Sequence, residues 1–216
     1  MPKYEYVPKN EYQPVREELE KIIKKVQKLL KNKFTFQFVL VGSGKKKLIT
    51  REIGGNKGFD FDYNLILNNP DDEHYWKPDF AKQTLLKAFN QVVKNTDYDC
   101  PEDSKTAITI KVKDINNSKI IHSCDFAIIY YPNEDESNYY KYVRHDKKNN
   151  VYTWEIRNCS RYYDDKLNWL KENIRDYWTI IKNEYLKVKN NNKDTNKHSF
   201  QLYLETINNL FNQYAE

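Results

Sequence analysis

The stretch FDFDYNLIL at positions 59–67 limits what this chain can fold into more than any other segment. Phe59, Phe61, Tyr63, Leu65 and Leu67 alternate with Asp60, Asp62 and Asn64. Successive side chains of a strand point to opposite faces, so the alternation predicts a strand with one apolar and one polar face. A helix would scatter the same residues around its axis. Two carboxylates are then carried on one face of a stiff support, with Cα atoms about 6.5–7 Å apart. Like charges held that close raise each other's pKa unless a cation sits between them. The pair Asp60 and Asp62 is therefore a candidate magnesium site.

A second strand, FQFVLV at 36–41, precedes it and ends in a tight polar turn, Gly42-Ser43-Gly44. The connection between the two strands is basic and contains glycine, with Lys45, Lys46, Lys47 and Arg51. Upstream, residues 1–13 read as a loose, tyrosine-rich arm. Pro14 then suits the first turn of an amphipathic helix, which buries Leu19, Ile22, Ile23 and Val26 at the helical period.

Downstream, Asp79 is a good N-cap for a second amphipathic helix to about Lys94. Residues 106–112 and 119–131 read as a hairpin around Asn116-Asn117. The second of these runs, KIIHSCDFAIIYY, is apolar with a single acidic residue, Asp125, at its middle. An isolated carboxylate on such a strand is costly to desolvate and calls for a cation or a hydrogen-bond partner; a lysine such as Lys111 is one candidate. His122 and Cys124 beside it read as packing residues. Residues 132–150 read as a charged loop and 151–157 as a short strand. A long helix is expected from Asp164 or Asp165 to about Lys187, then a polar linker to Lys197 and a last helix over 199–214. The order predicts an α+β fold, a mixed sheet backed by helices, with residues 1–160 as the core and 161–216 as a C-terminal helical appendage.

Composition narrows the function classes. With 216 residues the chain can bury a proper core. A formal net charge of +5 favours a polyanionic partner such as a nucleotide or RNA. Nothing approaches the length of a membrane span, and the N-terminal residues lack the apolar core of a signal peptide. Cys100, Cys124 and Cys159 have none of the paired spacing of a zinc site. A reduced, cytoplasmic protein is the expectation.

Gly42-Ser43 at a strand end, Asp60-Phe61-Asp62 on the next strand and Asp125 on a later one together resemble the DNA polymerase beta-like nucleotidyltransferase superfamily. That group includes CCA-adding enzymes, oligoadenylate synthetases, bacterial cyclic-oligonucleotide synthases and antibiotic adenylyltransferases. The resemblance covers residues 36–131, and residues 154–160, WEIRNCS, loosely resemble the oligoadenylate-synthetase branch. The connection from Ser43 to Asp60 is longer than the superfamily's usual one, and Gly44 stands where a bulkier residue is more common.

The resemblance implies a nucleotidyltransferase-like fold and transfer of a nucleoside monophosphate from an NTP, ATP first, to a hydroxyl, with pyrophosphate released. It implies Asp60, Asp62 and Asp125 as catalytic and metal-holding residues for two magnesium ions, with manganese able to substitute. It implies Gly42, Ser43 and Gly44 as the phosphate cradle, with lysine charge from Lys45–Lys47 or Lys166. The acceptor stays open among RNA, a nucleotide, a protein hydroxyl and a small molecule. Two other classes stand beside the enzyme: a non-catalytic nucleotide- or RNA-binding regulator on the same fold, such as half of a toxin–antitoxin or phage-defence pair, and a plain structural protein.

Overall fold

In a computed structural model of the chain, residues 2–68, 76–132, 139–159, 162–194 and 196–215 are described. Strand β1 (Tyr4–Tyr6) leads into helix α1 (Lys9–Leu30), strand β2 (Phe36–Val41), the short helix α2 (Gly42–Lys45), strand β3 (Thr50–Glu52) and strand β4 (Phe59–Leu67). Helix α3 (Pro78–Val93) follows, then strands β5 (Glu102–Asp103), β6 (Ile108–Asp114), β7 (Lys119–Tyr130), β8 (Tyr139–Asp146) and β9 (Val151–Asn158). Helices α4 (Tyr162–Asn173), α5 (Tyr177–Asn191) and α6 (Ser199–Tyr214) close the chain.

The seven-stranded sheet runs β2-β4-β7-β6-β5, with β8 and β9 joining beyond β7. β2 and β4 are antiparallel, β4 and β7 parallel, β7 and β6 antiparallel. A parallel pair needs a crossover, and α3 supplies it. The alternation of 59–67 is realised in full: Phe59, Phe61, Tyr63, Leu65 and Leu67 are buried at 6% exposure or less. They pack with Leu19, Ile22, Ile23 and Val26 of α1 and Leu85 and Phe89 of α3 in one cluster. The fold is the expected α+β arrangement of mixed sheet and backing helices.

Several expectations need correction. The N-terminal residues are no loose arm: β1 pairs with β3, the Tyr4 amide donates to Asn190 Oδ1, and the Tyr6 hydroxyl donates to the Lys182 carbonyl. Helix α1 begins at Lys9, so Pro14 lies inside it and removes one hydrogen bond near its start. Helix α3 begins at Pro78, which puts Asp79 in the first turn instead of at the cap. The charged loop of 132–150 contains strand β8, paired along its length with β9. The expected single helix of 164–187 is two helices, broken before Tyr177 where Asp176 takes a left-handed conformation at φ 57°.

A second apolar cluster joins Leu170, Ile181, Tyr185, Leu202, Tyr203, Ile207 and Leu210 of the C-terminal helices to Leu48, with Tyr6 packed against it. The connection after Ser43 thus plugs into the helical appendage. Among the described residues no helix is long and apolar enough to cross a membrane.

Candidate active site

Asp60, Asp62 and Asn64 stand on the face of β4 opposite its buried one. The parallel register sets Asp62 against Asp125 and Asp60 against Ser123. Register partners of neighbouring strands share a face. All three acids therefore come to one side of the sheet, the side away from α1 and α3. On β2 the partner of Asp62 is Val41, so Gly42 follows directly beside that carboxylate. Gly42 has φ +61°, and a Cβ built there would lie against Asp62 Oδ2. Only glycine lets the turn come this close. The expected tight turn is the helical turn α2. Amides at the start of a helical turn have no acceptor within it, which leaves those of the cavity-lining Gly42 and Ser43 available to an anion.

Two cavities open on this face. One, of about 300 Å³, is lined by Gly42, Ser43, Lys46, Thr50, Asp60 and Asp62 from the core. Tyr185, Lys189, His198, Ser199, Phe200 and Tyr203 line it from α5, α6 and the segment between them. The other, of about 660 Å³, contains Gly42, Lys45, Lys46, Asp62, Asn64 and Asp125, with Tyr140, Tyr142, Arg157, Cys159 and Tyr163 on its far wall. Gly42, Lys46, Asp62 and Phe200 line both, so the carboxylates stand at the junction.

The electrostatics match that placement. Asp60 and Asp125 meet solvent in the cavities and Asp62 is half-buried. Burial first, then the charges on Asp60 and Asp125, push the Asp62 carboxyl up to about 7. Asp60 is also raised, by burial first; Lys189 opposes that rise and Asp125 adds to it. The Lys189 ammonium is pushed down by burial, against the pull of Asp60. It donates to Thr50 Oγ1 at 2.8 Å and Ser199 Oγ at 3.2 Å. Lys46 is lowered by burial and by Lys45, and its ammonium lies 5.0 Å from the Tyr203 ring centroid.

Oxygen-only donors whose neighbouring charges help push the Asp62 carboxyl up suit a hard dication such as magnesium, which would relieve the repulsion. Among the described residues, however, no group of three His, Cys, Asp or Glu side chains is closed into a formed ligand cluster. The acids share a face without yet converging.

Of the sequence candidates, Asp60, Asp62, Asp125, Gly42, Ser43 and Lys45 all line one cavity or both. Gly44 is buried against Leu40 and Phe61, beneath the turn. Lys166 is elsewhere: its ammonium donates to Asn208 Oδ1 and lies 5.2 Å from the Phe211 ring centroid, on the side of α4 that meets α6. Lys111 pairs with Glu102 at 2.7 Å, and the Asp125 partner is the Thr109 hydroxyl. Arg51 is held by Glu5 and Glu11 rather than left for a phosphate. Trp154 donates to the Trp76 carbonyl and packs on Tyr130, a core role. Ser160 and the Tyr162 side chain lie outside the described residues.

Sequence reasoning missed Lys189, having assigned residues 187–197 to a linker, and Ser199, read only as the start of the last helix. The available signal was Ile181, Tyr185 and Lys189, which repeat every four residues and so continue one helix face.

No protein-family model and no curated protein matches the sequence. Solved structures do. The Vibrio cholerae DncV cyclic AMP-GMP synthase superposes with a TM-score of 0.57 at 16% identity, over 85% of this chain and 47% of that one. Escherichia coli CdnC with ATP gives 0.52 at 14%, over 97% of this chain and 62% of the other. Bradyrhizobium diazoefficiens CdnG in complex with GTP gives 0.51 at 14%, over 74% and 42%. The chain spans about half the length of the DncV structures it matches, 47% and 48% for the Vibrio and Escherichia forms. With its mixed sheet, its crossover helix and the three acids on one face, the chain has the nucleotidyltransferase fold.

Proposed function

We propose that the chain transfers a nucleoside monophosphate from an NTP, ATP in the first instance, to a hydroxyl acceptor and releases pyrophosphate. The observation that carries this reading is the register of Asp62 with Asp125 on parallel strands, with Gly42 pressed against the same carboxylate. Solved structures similar to this chain include a cyclic AMP-GMP synthase and proteins bound to ATP and GTP, which supports the same chemistry here.

Asp60, Asp62 and Asp125 would hold two magnesium ions. When bound, such ions supply charge stabilisation to the attacking and leaving oxygens. The chain's own groups do the rest. The amides of Gly42 and Ser43, the Ser43 hydroxyl, Lys46, Lys189 and Ser199 surround the smaller cavity and offer the triphosphate both hydrogen bonds and positive charge. The acceptor hydroxyl attacks the α-phosphorus, the α–β bridging bond breaks, and the hydroxyl proton passes to the Asp125 carboxylate. The larger cavity, with Tyr140, Tyr142 and Tyr163 beside Arg157, suits an acceptor that carries a base, so a nucleotide or RNA end is favoured over a protein hydroxyl.

The long connection after Ser43 has a structural use: Thr50–Glu52 pairs with β1 and Leu48 fills the second core. The test is to incubate the protein with labelled NTPs and Mg²⁺ or Mn²⁺ across candidate acceptors and measure pyrophosphate. The wild type should release it and Asp62→Ala should not. Equal behaviour of the two would end the enzymatic reading. Tight Mg-nucleotide binding without product would favour the regulator.

A further inference from the structure

Asp125 does not stand free on its strand. Its Oδ1 accepts a 2.5 Å hydrogen bond from the hydroxyl of Thr109, its register partner on β6. A threonine hydroxyl has one proton to give, so the Ser104 hydroxyl, 2.8 Å away, donates to Thr109 rather than receiving from it. The Ser104 carbonyl accepts in turn from Lys82 Nζ at 3.0 Å. The same ammonium donates to the Ala107 carbonyl at 2.8 Å and lies 3.2 Å from Asp103 Oδ1. Two carbonyls and the Asp103 carboxylate thus surround the ammonium of a lysine that is 0% exposed. Asp103 is held from its other side by the Tyr152 hydroxyl at 2.5 Å, with His145 Nδ1 3.2 Å away.

This assembly is an expensive way to stabilise a fold. A buried lysine pays a desolvation penalty that a methionine of similar volume would avoid. What the ammonium supplies is a fixed point: it ties α3 to both ends of the 104–107 turn that carries Ser104. The far end of the chain of bonds is anchored by α3, β8 and β9, and the near end touches the carboxylate.

We propose that Thr109, braced by Ser104 and the buried Lys82, is the positioning residue for Asp125. It engages Oδ1 and leaves Oδ2 for the cavity shared with Asp62, presetting the third carboxylate for a divalent cation. The inference rests on the metal-holding role assigned to Asp125 above. Supporting hydrogen bonds to a ligating carboxylate are commonly worth a factor of about 10–100 in metal affinity.

The experiment measures Mn²⁺ alone binding to the full chain, by the paramagnetic resonance signal of the free ion and by calorimetry. Wild type, Asp125→Asn, Thr109→Val, Thr109→Ser and Ser104→Ala are compared. Thr109→Val should bind Mn²⁺ about 10–100-fold more weakly, with Thr109→Ser restored to within about twofold of wild type. Ser104→Ala should fall between them. A Thr109 that serves only packing would lower the melting temperature and leave the Mn²⁺ affinity unchanged, and that result overturns the proposal. Should Thr109→Val fail to fold, Ser104→Ala decides alone, and wild-type affinity in it is equally fatal. Loss of binding in Asp125→Asn but not in Thr109→Val or Ser104→Ala sinks this inference and spares the metal reading. No Mn²⁺ binding by wild type sinks both.

Discussion

Asp62 and Asp125 occupy the same register position on two parallel strands, so their carboxylates leave one sheet face side by side. Among the described residues neither has a cationic side chain bonded to it; Asp125 has the Thr109 hydroxyl. That juxtaposition makes the acid cluster unfavourable in the metal-free protein and useful to a dication, and it has a measurable consequence in pH.

The Asp62 carboxyl is raised to about 7, whereas an unfolded aspartate titrates at about 3.9. Between those values the folded protein holds a proton that the unfolded chain has released. The contribution of Asp62 is therefore fully present at low pH and is lost as pH rises through its folded pKa. Metal-free wild type should lose more stability than Asp62→Asn between about pH 5 and about pH 8 in thermal melts. Saturating Mg²⁺ should remove most of that difference. Equal slopes for wild type and variant would contradict the shift.

His122 gives the opposite sign. Burial pushes its imidazole down to about 4, against about 6.5 unfolded. Its stabilising contribution is present above about pH 6.5 and is lost as pH falls toward about 4. In that window it offsets Asp62, so wild type alone can look flat. Across that window His122→Gln should leave a stability that falls as pH rises, and Asp62→Asn one that rises with it. Chemical denaturation at stepped pH separates the two. Because His122 bonds Tyr98 on the buried side of β7, Mg²⁺ should leave its effect unchanged.

Gly42 and Gly54 make a matched pair. Both have positive φ, +61° and +71°, but a Cβ at Gly42 would press on Asp62 Oδ2, while one at Gly54 meets nothing within 4 Å. Alanine at either position should cost about 1–2 kcal/mol of stability through the left-handed backbone. Only Gly42→Ala should also remove pyrophosphate release, because it displaces the carboxylate. Melts and turnover on the two variants test this, and an active Gly42→Ala would break the argument.

Much of this site could be read from sequence because strands announce themselves by parity. Phe59 to Leu65 alternate without an error, and Asp125 is the single acid of an apolar run, so both strands followed; that Asp125 joins Asp60 and Asp62 was implied by the resemblance alone. The features that escaped had no such local signature. In YYKYVRHD, strand β8 interleaves tyrosines with charges, and its burial comes from β9 rather than from its own pattern. The break at Asp176 has neither proline nor glycine to mark it. β1 is three residues whose partners, Thr50–Glu52 and Asn190, are remote in sequence, and no local pattern encodes a contact across 186 positions.

Lys189 was hidden by the asparagine- and lysine-rich composition around it, and it makes the sharpest prediction for catalysis. Its ammonium bonds Thr50 and Ser199, lies 4.6 Å from the Tyr4 ring centroid, and lines the smaller cavity with Gly42, Ser43 and Asp60. Burial already lowers its pKa, so the free protein gains little from the charge. Lys189→Met keeps an unbranched side chain of similar length and removes the ammonium that lies over Tyr4 and Tyr185. Stability should therefore change by less than about 1 kcal/mol in denaturant melts. A bound triphosphate would lose a charged hydrogen bond worth about 1.5–3 kcal/mol, a rise of about 10–100-fold in KM for the NTP. With Asp60, Asp62 and Asp125 untouched, kcat should fall far less than KM rises. If KM holds and kcat collapses instead, Lys189 acts on the chemical step, and the smaller cavity is not where the triphosphate rests in the ground state.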